Sequence, residues 1–509
     1  MTPEDPPIED VERDDRTNLR TRAAKGVFWT ATGAWGRQLM VFVVFAVLAR
    51  VLEPKDFGLV ALAAVFVAFT HVIAEEGLVD ALVQRKDLET EHLDTAFWIS
   101  LAFAVVMTAL LAALAVPIAM ALGEPSLAPI LIVLSLSIPI GSSSLVQRAL
   151  LTREMKFRSL TLRSLAAICV GSVFGVGAAL LGFGAWSLVA QNIAGQITGT
   201  IVLWRVTSWR PTFRFSSRHF RELYDFGRHV VGFRLLIYFN RRADEFLIGV
   251  FLGPVALGYY TIGSRMVRML IQVTSSLIDK VSFPLYSRLQ DNQERLKRAY
   301  YKSISFAALL AYPMFFSILV LTPQIVSVFF GSKWADSVAV MQVLAIFGVN
   351  QVLTYLNGTT VKALGKPSWL LGIVAITAIL KVAAFFVAVS FGLVAVAIAT
   401  TCVGYLVAPL YFAGVRRLIP VTVREYVRHV RTPLVTAALV ACGMFGLTYV
   451  LQDASDLVTL IVVASAGAAA YVTAIRLVAP GLASEVQELV RRGLPKARFT
   501  RPARASVRR

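Results

Sequence analysis

Charged residues and cysteines are scarce in this sequence. Only 16% of its 509 residues are Asp, Glu, Lys or Arg, 57% are hydrophobic, and the mean hydropathy is +0.69. This composition excludes a soluble protein of this size and indicates a polytopic membrane protein. The three cysteines, Cys169, Cys402 and Cys442, lie in apolar runs, where we expect small buried hydrophobic side chains. Neither a disulfide framework nor a metal site or cofactor motif is indicated.

The start of the chain lacks the basic residues and short apolar core of a cleavable signal peptide. It reads MTPEDPPIEDVERDD, which is acidic and rich in proline. We therefore expect residues 1–24 to form a disordered cytoplasmic tail, and the first span to act as the insertion signal.

Apolar segments long enough to cross about 30 Å of hydrocarbon as helices occur about fourteen times. We expect an all-α integral membrane protein with spans near 27–49, 57–78, 94–122, 128–147, 164–181, 184–204, 229–252, 255–279, 303–329, 335–361, 367–390, 392–414, 432–451 and 456–476. An even number of spans places both termini on one side of the membrane.

Basic residues test this topology, because Lys and Arg concentrate in cytoplasmic loops. With the N-terminus inside, the inner segments hold about 40 of the 50 Lys and Arg, and the outer loops hold Arg50, Lys55 and Lys333. Both termini are therefore predicted to be cytoplasmic. The net charge of +19 is explained by topology and attraction to the inner leaflet, so no nucleic-acid partner is expected. The basic tail, 479–509, is expected to meet anionic lipid.

The predicted outer loops leave no room for an external domain. GEPSLAP, GFG, GPVALG, GSKWAD, SFG and QDASD are all short. A membrane glycosyltransferase or polymerase usually needs a sizeable outer loop with catalytic residues, so this class of enzyme is the more distant alternative. We expect a protein that is not an enzyme, with its working residues among the spans.

A short internal repeat indicates two related halves. LEPKDFG at 52–58 matches LGPVALG at 252–258, and FGAWSLVA at 183–190 matches FGLVAVAI at 391–398. Six spans separate the copies, which predicts a parallel repeat around a central cavity. The predicted parts are a bundle at 25–204, a basic cytoplasmic linker at 205–221, a second bundle at 222–415 and two extra helices at 416–478.

Ionisable side chains inside spans should face such a cavity, because a charge facing lipid costs at least about 2.5–3.5 kcal/mol. The predicted substrate-binding residues share a positive charge: Arg37, Arg234, Arg241, Arg242, Arg265, Arg268 and Lys381. Two hypotheses apply to Asp244 and Glu245. In the first, they pair with Arg241 and Arg242 at spacing i, i+3 as a structural cluster. In the second, they accept a coupling proton. Arg268 either lines the cavity or reaches the inner interface. Asp80, near the end of the second span, reads as an ordinary interfacial charge or as a gating residue.

An excess of Arg and Lys suits an anionic ligand, and guanidinium groups suit phosphate oxygens through bidentate hydrogen bonds. A large amphiphile with a pyrophosphate and a sugar head would fit, with its lipid tail left in the bilayer. The residues alone therefore indicate an exporter or flippase for an anionic substrate.

Two blocks resemble a known family. KGVFWTATGAWGRQLMVFVVFAVLARVLEPKDFGLVALAAVFVAF, followed by EEGLVDALVQRKDL, and the later NRRADEFLIGVFLGPVALGYYTIGSRM resemble the polysaccharide transporter family, the Wzx-type flippases of the multidrug/oligosaccharidyl-lipid/polysaccharide exporter superfamily. The resemblance implies a V-shaped cationic cavity between two six-helix bundles. It also implies transfer of undecaprenyl-pyrophosphate-linked oligosaccharides across the inner membrane for capsule, O-antigen or exopolysaccharide assembly, with polysaccharide polymerases and glycosyltransferases as partners.

Two rivals share the implied fold. A lipid II flippase would differ in its substrate only. A multidrug exporter is expected to bind cationic drugs through membrane carboxylates, and the excess of Arg and Lys argues against it.

Overall fold

The computed structural model describes residues 36–480 apart from Lys86, and it does not describe the side chains of 74–77, 223–231, 233, 277, 280 and 281. The tail predicted at 1–24, all but the first two residues of the tail predicted at 479–509, and the start of the first predicted span lie outside the described residues. Contacts divide the chain into a large unit, Met40–Tyr471, and a small unit made of the two chain ends. The predicted division into bundles at 25–204 and 222–415 stays a prediction.

The described part of the chain is helical throughout, without a strand. The helices are α1 (36–51), α2 (Pro54–Gln84), α3 (Thr90–Ala121), α4 (Leu127–Ser135), α5 (Ser137–Ser142), α6 (Leu145–Arg153), α7 (Phe157–Leu180), α8 (Ala185–Val206), α9 (Ser217–Phe251), α10 (Gly253–Leu289), α11 (Gln293–Ile325), α12 (Ser337–Ala363), α13 (Pro367–Ala388), α14 (Leu393–Arg416), α15 (Val423–Val450) and α16 (Asp456–Val478).

The sequence sets many of these boundaries. Pro54 and Pro367 each occupy the first turn of a helix, where the missing N–H costs no hydrogen bond. Asn292 caps α11 by accepting a hydrogen bond of 3.0 Å from the Arg295 N–H. Gly392, at φ 92°, makes the turn between α13 and α14, a backbone conformation that favours glycine.

Nine of the described helices are long and apolar enough to cross a membrane, and a bent pair raises the number to ten. The chain is therefore a multi-pass membrane protein. The bent pair, α4–α5 with α6, turns by 44° within the single span predicted at 128–147. Ser143 and Ser144 donate their hydroxyls to the carbonyls of Ile140 and Gly141 at this break, which competes with regular helical hydrogen bonding.

Four further predicted spans correspond to α1, α8, α9 and α10, which fall outside that set of candidate spans. Only 36–51 of α1 is described, and α8 is rich in Gln, Asn, Ser and Thr. The helices α9 and α10 carry most of the predicted substrate-binding arginines. Helices are thus present at all fourteen predicted places, and the count of fourteen spans stays a prediction.

The expectation of buried cysteines is wrong. Cys169, Cys402 and Cys442 are free thiols and all three are exposed on the protein surface. In a membrane protein the outward faces of the helices meet lipid, so an apolar run does not separate core-facing positions from lipid-facing ones.

The two copies of the Leu-x-Pro-x-x-(Phe/Leu)-Gly motif pack against each other. A Cβ atom on Gly58 would lie 1.7 Å from the carbonyl oxygen of Pro254, and a Cβ on Gly258 would lie 2.0 Å from the oxygen of Pro54. α2 and α10 therefore touch backbone to backbone at their first turns, and the contact is reciprocal. Each copy of the motif thus needs glycine at the same place, and the parallel repeat stays a prediction.

An aromatic cluster fixes α1 and α2 against the turn that follows α11. Trp334 is fully buried and donates its indole N–H to the carbonyl of Ala49 at 2.8 Å. The ring of Phe57 meets Trp334 edge to face at 5.4 Å between centroids, and Phe45 packs on Phe57 at 5.5 Å. This cluster places α1 beside the charged face of α10, where Arg265 lies.

Candidate functional site

The charged segment NRRADEF lies inside α9 and packs against α2, α10 and α13. Along the face predicted from the sequence, Arg234 and Tyr238 both contact α2. Arg234 pairs with Asp80 at 2.9 Å, and the Tyr238 hydroxyl donates to the Val65 carbonyl. Asp80 therefore holds α2 against α9, and a gating role for it stays a prediction.

Glu245 is the centre of an ion-pair triad. Its side chain is only 3% exposed, and its two oxygens bind different arginines: Oε2 pairs with Arg242 of the same helix, and Oε1 lies 2.8 Å from Nη1 of Arg268 in α10. Both lone-pair faces of the carboxylate are thus used. Glu245 stabilises two guanidinium groups and joins α9 to α10.

Asp244 has a different environment from its neighbour. The carboxylate is 8% exposed, and the hydroxyl of Tyr260 donates to Oδ2 at 2.5 Å. Its other oxygen, Oδ1, is buried and has no hydrogen-bond partner among the described residues. The sequence-based pairing of Asp244 with Arg241 is therefore absent from the hydrogen bonds and ion pairs of the described side chains, whereas the pairing of Arg242 with Glu245 is present.

Two arginines of the cluster are exposed and have no carboxylate partner among the described residues: Arg241 and Arg265. The guanidinium of Arg265 lies over the ring of Phe45, 4.9 Å from its centroid. The positive charges of Arg242 and Arg268 repel it. The ring leaves the outer edge of the guanidinium available for an anion.

Lys381, in the middle of α13, is half-buried beside α9. Its ammonium donates to the backbone carbonyl of Asn240 at 3.1 Å. The charges of Asp244 and Arg241 both act on it. Lys381 thus belongs to the same cluster as the α9 and α10 residues. Arg37 is half-buried in α1 and belongs to the small unit of the two chain ends.

Sequence reasoning missed an acidic residue next to this cluster. Asp279 in α10 accepts hydrogen bonds of 2.5 Å from both the hydroxyl of Tyr355 and the hydroxyl of Thr359 in α12. The charge of Arg241 acts on the Tyr355 phenol, so the hydroxyl pair lies near the exposed arginine. The only signal in the sequence was a lone carboxylate at the end of a predicted span.

A second polar cluster was also missed, where α3 and α9 begin. Glu89, His92 and His219 bring one ligand atom each to within 4.8 Å of one another, a grouping that could hold a metal ion. Glu222 accepts from Arg85 at 2.5 Å and lies 3.3 Å from Nε2 of His92. More than 120 positions separate the segment with Glu89 and His92 from the segment with His219 and Glu222, so no local pattern could reveal the cluster.

Comparison with known proteins identifies the family. The model of a family described as "Polysaccharide biosynthesis protein" matches residues 47–339. The succinoglycan biosynthesis transport protein ExoT of Rhizobium meliloti (strain 1021) is 32% identical over 329 residues, which cover 65% of this chain and 66% of that protein. The lipopolysaccharide biosynthesis protein WzxC of Escherichia coli (strain K12) is 24% identical over 338 residues, covering 65% and 68% of the two chains. The chain thus matches about two thirds of the length of each relative.

Solved structures show the same fold. The lipid II flippase MurJ, in an inward closed conformation, superposes with a TM-score of 0.73 at 11% identity, over 91% of this chain and 100% of that one. An inward-facing multidrug resistance MATE transporter gives a TM-score of 0.59 at 16% identity, over 75% and 94%. The fold is therefore that of MurJ and of the MATE transporters. By its sequence, the protein belongs to the polysaccharide biosynthesis family, the Wzx-type flippases, which are transporters and not enzymes.

Proposed function

We propose that this protein moves undecaprenyl-pyrophosphate-linked oligosaccharides from the cytoplasmic to the outer leaflet of the inner membrane by alternating access. The product serves surface polysaccharide assembly, as capsule, O-antigen or exopolysaccharide, in company with glycosyltransferases and a polymerase. Both termini lie in the cytoplasm, and fourteen spans form two six-helix bundles and two extra helices.

The observation that carries the proposal is that the charged side chains of α9, α10 and α13 are only partly paired with one another. Five basic side chains meet two carboxylates there: Arg241, Arg242, Arg265, Arg268 and Lys381 against Asp244 and Glu245. Glu245 is fully occupied by Arg242 and Arg268. Arg241 and Arg265 are exposed and lack a carboxylate, so the cluster keeps an excess of positive charge for a ligand.

A pyrophosphate matches this excess in charge and geometry. Each guanidinium presents a planar pair of donors that fits two phosphate oxygens, and the removal of water from a membrane cavity strengthens such charge-assisted hydrogen bonds. Arg241 and Arg265 would bind the phosphates, Lys381 would add charge, and Arg37 and Arg234 would line the path. The Asp279–Tyr355–Thr359 group beside Arg241 would meet the sugar hydroxyls.

Asp244 is the better of the two carboxylates for a coupling proton. Glu245 uses both oxygens in ion pairs, and its protonation would leave two arginines without their partner. Asp244 has one buried oxygen without a partner, which a proton could occupy without breaking an existing bond. The coupling role proposed for the pair is therefore assigned to Asp244, and Glu245 holds the arginines in place.

A lipid II flippase is the second candidate function, because the fold resembles MurJ over almost the whole chain. The sequence relatives favour the first candidate, since ExoT and WzxC are named for succinoglycan and lipopolysaccharide biosynthesis. A multidrug exporter fits less well, because the exposed charges of the cluster are positive.

Binding of undecaprenyl pyrophosphate to the purified protein in mixed micelles tests the proposal. We expect the wild-type protein to prefer the pyrophosphate to undecaprenyl monophosphate and to the uncharged alcohol. Arg241→Gln and Arg265→Gln should each weaken binding by about tenfold or more, because a hydrogen bond to a charged group contributes about 1.5–3 kcal/mol.

Arg214→Gln is the matched control, because this exposed linker arginine pairs only weakly with Glu91, at 3.5 Å. It removes the same charge from the chain and should leave binding unchanged. Equal affinity for pyrophosphate and alcohol, or equal losses in the control and the cluster variants, would contradict the assignment of the site.

A further inference from the structure

A cavity lies where the end of α8 meets the break between α5 and α6. Its volume is about 500 Å³, within the range of about 300–1,000 Å³ that is usual for sites of small ligands. Six residues line it: Ser143, Thr200, Ile201, Trp204, Arg205 and Arg210. Two of them are arginines and none is acidic, so the wall carries a net positive charge. None of them belongs to the cationic cluster of α9, α10 and α13.

The helix break fixes α8 beside this cavity. The chain turns by 44° there, and carbonyl groups at the end of a helix lack a partner within the helix. Side chains of α8 bind them instead. The indole N–H of Trp204 donates to the Ser143 carbonyl at 2.9 Å, and the hydroxyl of Thr200 donates to the Ile140 carbonyl at 3.0 Å. These bonds hold the two walls together, so the cavity is formed before any ligand binds.

Arg210 is held in place by the backbone around the end of α8. Its guanidinium donates to the carbonyls of Trp204 at 2.9 Å, Thr207 at 2.7 Å and Trp209 at 2.8 Å, and it lies over the Trp204 ring at 5.5 Å from the centroid. These bonds use at most three of the five N–H groups of an arginine, so at least two remain for a ligand. An anion would meet a positive group that is already positioned, which lowers the entropic cost of binding.

Arg205 supplies a second positive group to the wall. It is exposed in the last turn of α8 and has neither a hydrogen bond nor a carboxylate partner among the described residues. Its whole guanidinium is therefore available. Since a planar guanidinium matches two phosphate oxygens, the pair of arginines suits a phosphate group better than a carboxylate-free surface of lysines would.

The hydroxyl groups of the wall offer acceptors. Ser143 and Thr200 both donate to the Ile140 carbonyl, at 2.7 Å and 3.0 Å. Each hydroxyl has one proton, so their oxygens keep lone pairs that can accept a hydrogen bond from a ligand. The cavity thus combines cations for a phosphate with acceptors for a hydroxyl group. An ammonium group could also donate to these acceptors, but the two arginines would repel it.

An apolar stripe on α8 leads into the basic wall. Ile197, Ile201 and Arg205 follow one another at a spacing of four, which places them on one face of the helix. The two isoleucines are exposed, as side chains that meet lipid are. Arg205 lies about 12 Å further along the helix than Ile197. Trp204 beside it is of the residue type that is enriched where hydrocarbon meets the headgroups. The stripe therefore matches an amphiphile with an acyl chain and an anionic head.

We propose that this cavity binds the headgroup of an anionic glycerophospholipid from the surrounding bilayer. The phosphodiester binds Arg205 and Arg210, the headgroup hydroxyls donate to Ser143 and Thr200, and an acyl chain lies along the apolar stripe of α8. Phosphatidylglycerol has this chemistry, with one negative charge and two hydroxyl groups. Phosphatidylethanolamine carries an ammonium in their place, which the arginines repel.

A lipid at this place joins the helix break to the segment that connects the two predicted bundles. Arg210 belongs to the predicted linker, 205–221, whereas Ser143 belongs to the break. The same linker is fastened to α3, because the Thr212 N–H donates to Asp94 at 3.0 Å and the Trp98 indole donates to the Thr212 carbonyl at 2.9 Å. The lipid therefore stabilises the first part of the linker.

Binding of this lipid does not depend on the identity of the transported molecule. In the proposed orientation α8 ends on the cytoplasmic side, so the lipid belongs to the inner leaflet. Basic pockets between helices on that side are suited to anionic headgroups.

Binding of radiolabelled phosphatidylglycerol to the purified protein in detergent micelles tests the proposal without a transported substrate. We expect saturable binding, with phosphatidylethanolamine of the same acyl chains displacing the label at least about tenfold less well than unlabelled phosphatidylglycerol. Arg205→Gln should weaken binding by about tenfold or more, because it removes charge-assisted hydrogen bonds. This substitution breaks no hydrogen bond or ion pair among the described residues.

Arg416→Gln is the matched control. Arg416 is likewise an exposed arginine in the last turn of a helix, α14, without a hydrogen-bond or carboxylate partner among the described residues. Its substitution removes the same charge and should leave binding at the wild-type level. Wild-type affinity in Arg205→Gln, or equal losses in the two variants, overturns the proposal.

Competition on the wild-type protein separates other sources of a phosphate, and it decides the proposal even for a variant that does not fold. Glycerol 3-phosphate and inorganic phosphate should not displace the labelled lipid at concentrations where phosphatidylglycerol does. Displacement by either of them as effective as that by phosphatidylglycerol would make the cavity a site for a water-soluble anion. Stronger displacement by undecaprenyl pyrophosphate would assign it to the transported lipid. Equal displacement by phosphatidylethanolamine would remove the charge selectivity. Each of these three results overturns the proposal.

Discussion

Gly58 lies so close to Pro254 that a Cβ atom at position 58 would sit 1.7 Å from the proline carbonyl oxygen. In the equivalent contact, a Cβ atom at position 258 would sit 2.0 Å from the carbonyl oxygen of Pro54. No side-chain rotation can relieve such a clash, because the opposing atoms are backbone. The first turns of α2 and α10 must therefore separate before any larger residue fits.

Gly58→Ala and Gly258→Ala should each lower the free energy of unfolding by about 1–3 kcal/mol or more, because overpacking shifts backbone. Thermal unfolding in detergent measures the loss. Gly372→Ala is the matched control, since this helical glycine has no atom within 4 Å of its added Cβ, and alanine there should stabilise α13 by about 0.5–1 kcal/mol. Equal unfolding temperatures for all three variants would refute the close contact.

Glu245→Gln should destabilise the protein. The substitution removes the negative charge that Arg242 and Arg268 share, and it leaves two like charges side by side. Since both arginines are partly exposed, we expect a loss of about 1–3 kcal/mol rather than the larger cost of a fully buried pair. Chemical unfolding of the purified variant tests this. An unchanged stability would mean that solvent screens the triad.

Asp244→Asn should preserve folding and abolish the response of transport to an imposed pH gradient. Asparagine can still accept from Tyr260, and it replaces a charged oxygen that has no described partner with a neutral amide. Transport with and without a pH gradient, compared in wild type and variant liposomes, measures the effect. If transport by the asparagine variant depended on the pH gradient as strongly as transport by the wild type, Asp244 would not be the proton carrier.

Glu222 should contribute to stability at neutral pH and lose that contribution in acid. Its pKa in the folded protein, about 2, lies below the ordinary value of 4.5, so the contribution is fully present above about pH 4.5 and falls as the pH approaches 2. The unfolding temperatures of wild type and Glu222→Gln should differ by a constant amount above pH 5 and converge below 4.5. A difference that grows in acid would reverse the assigned sign.

Much of the fold could be predicted, because a helix that crosses lipid needs about twenty apolar residues and leaves a local pattern. In the part of the chain that the structure describes, helices occur at all fourteen predicted positions. The pair between Arg242 and Glu245 was also predictable, since residues three apart share one face of a helix. The exposure of Cys169 could not be predicted, because lipid-facing positions and the protein core favour the same apolar residues.

The rest of the site depends on contacts between distant helices. Arg268 reaches Glu245 across α9 and α10, and Asp279 is held by hydroxyls of α12. The reciprocal contacts of His92 and His219 join segments 127 positions apart along the numbered chain. Helical spacing within one segment carries no information about which helix packs beside it, so these partners emerged only in three dimensions.

The most direct test of the account is transbilayer movement of an undecaprenyl-pyrophosphate oligosaccharide in liposomes that contain the purified protein. Access of an added lectin or glycosidase to the sugar measures the movement. We predict movement by the wild type and by Arg214→Gln, and at least about tenfold slower movement by Arg37→Ala, Lys381→Ala and Arg241→Gln/Arg265→Gln, each folded normally. A folded wild-type protein that moves no such lipid, or variants of the cationic cluster that move it at the wild-type rate, would contradict the central claim.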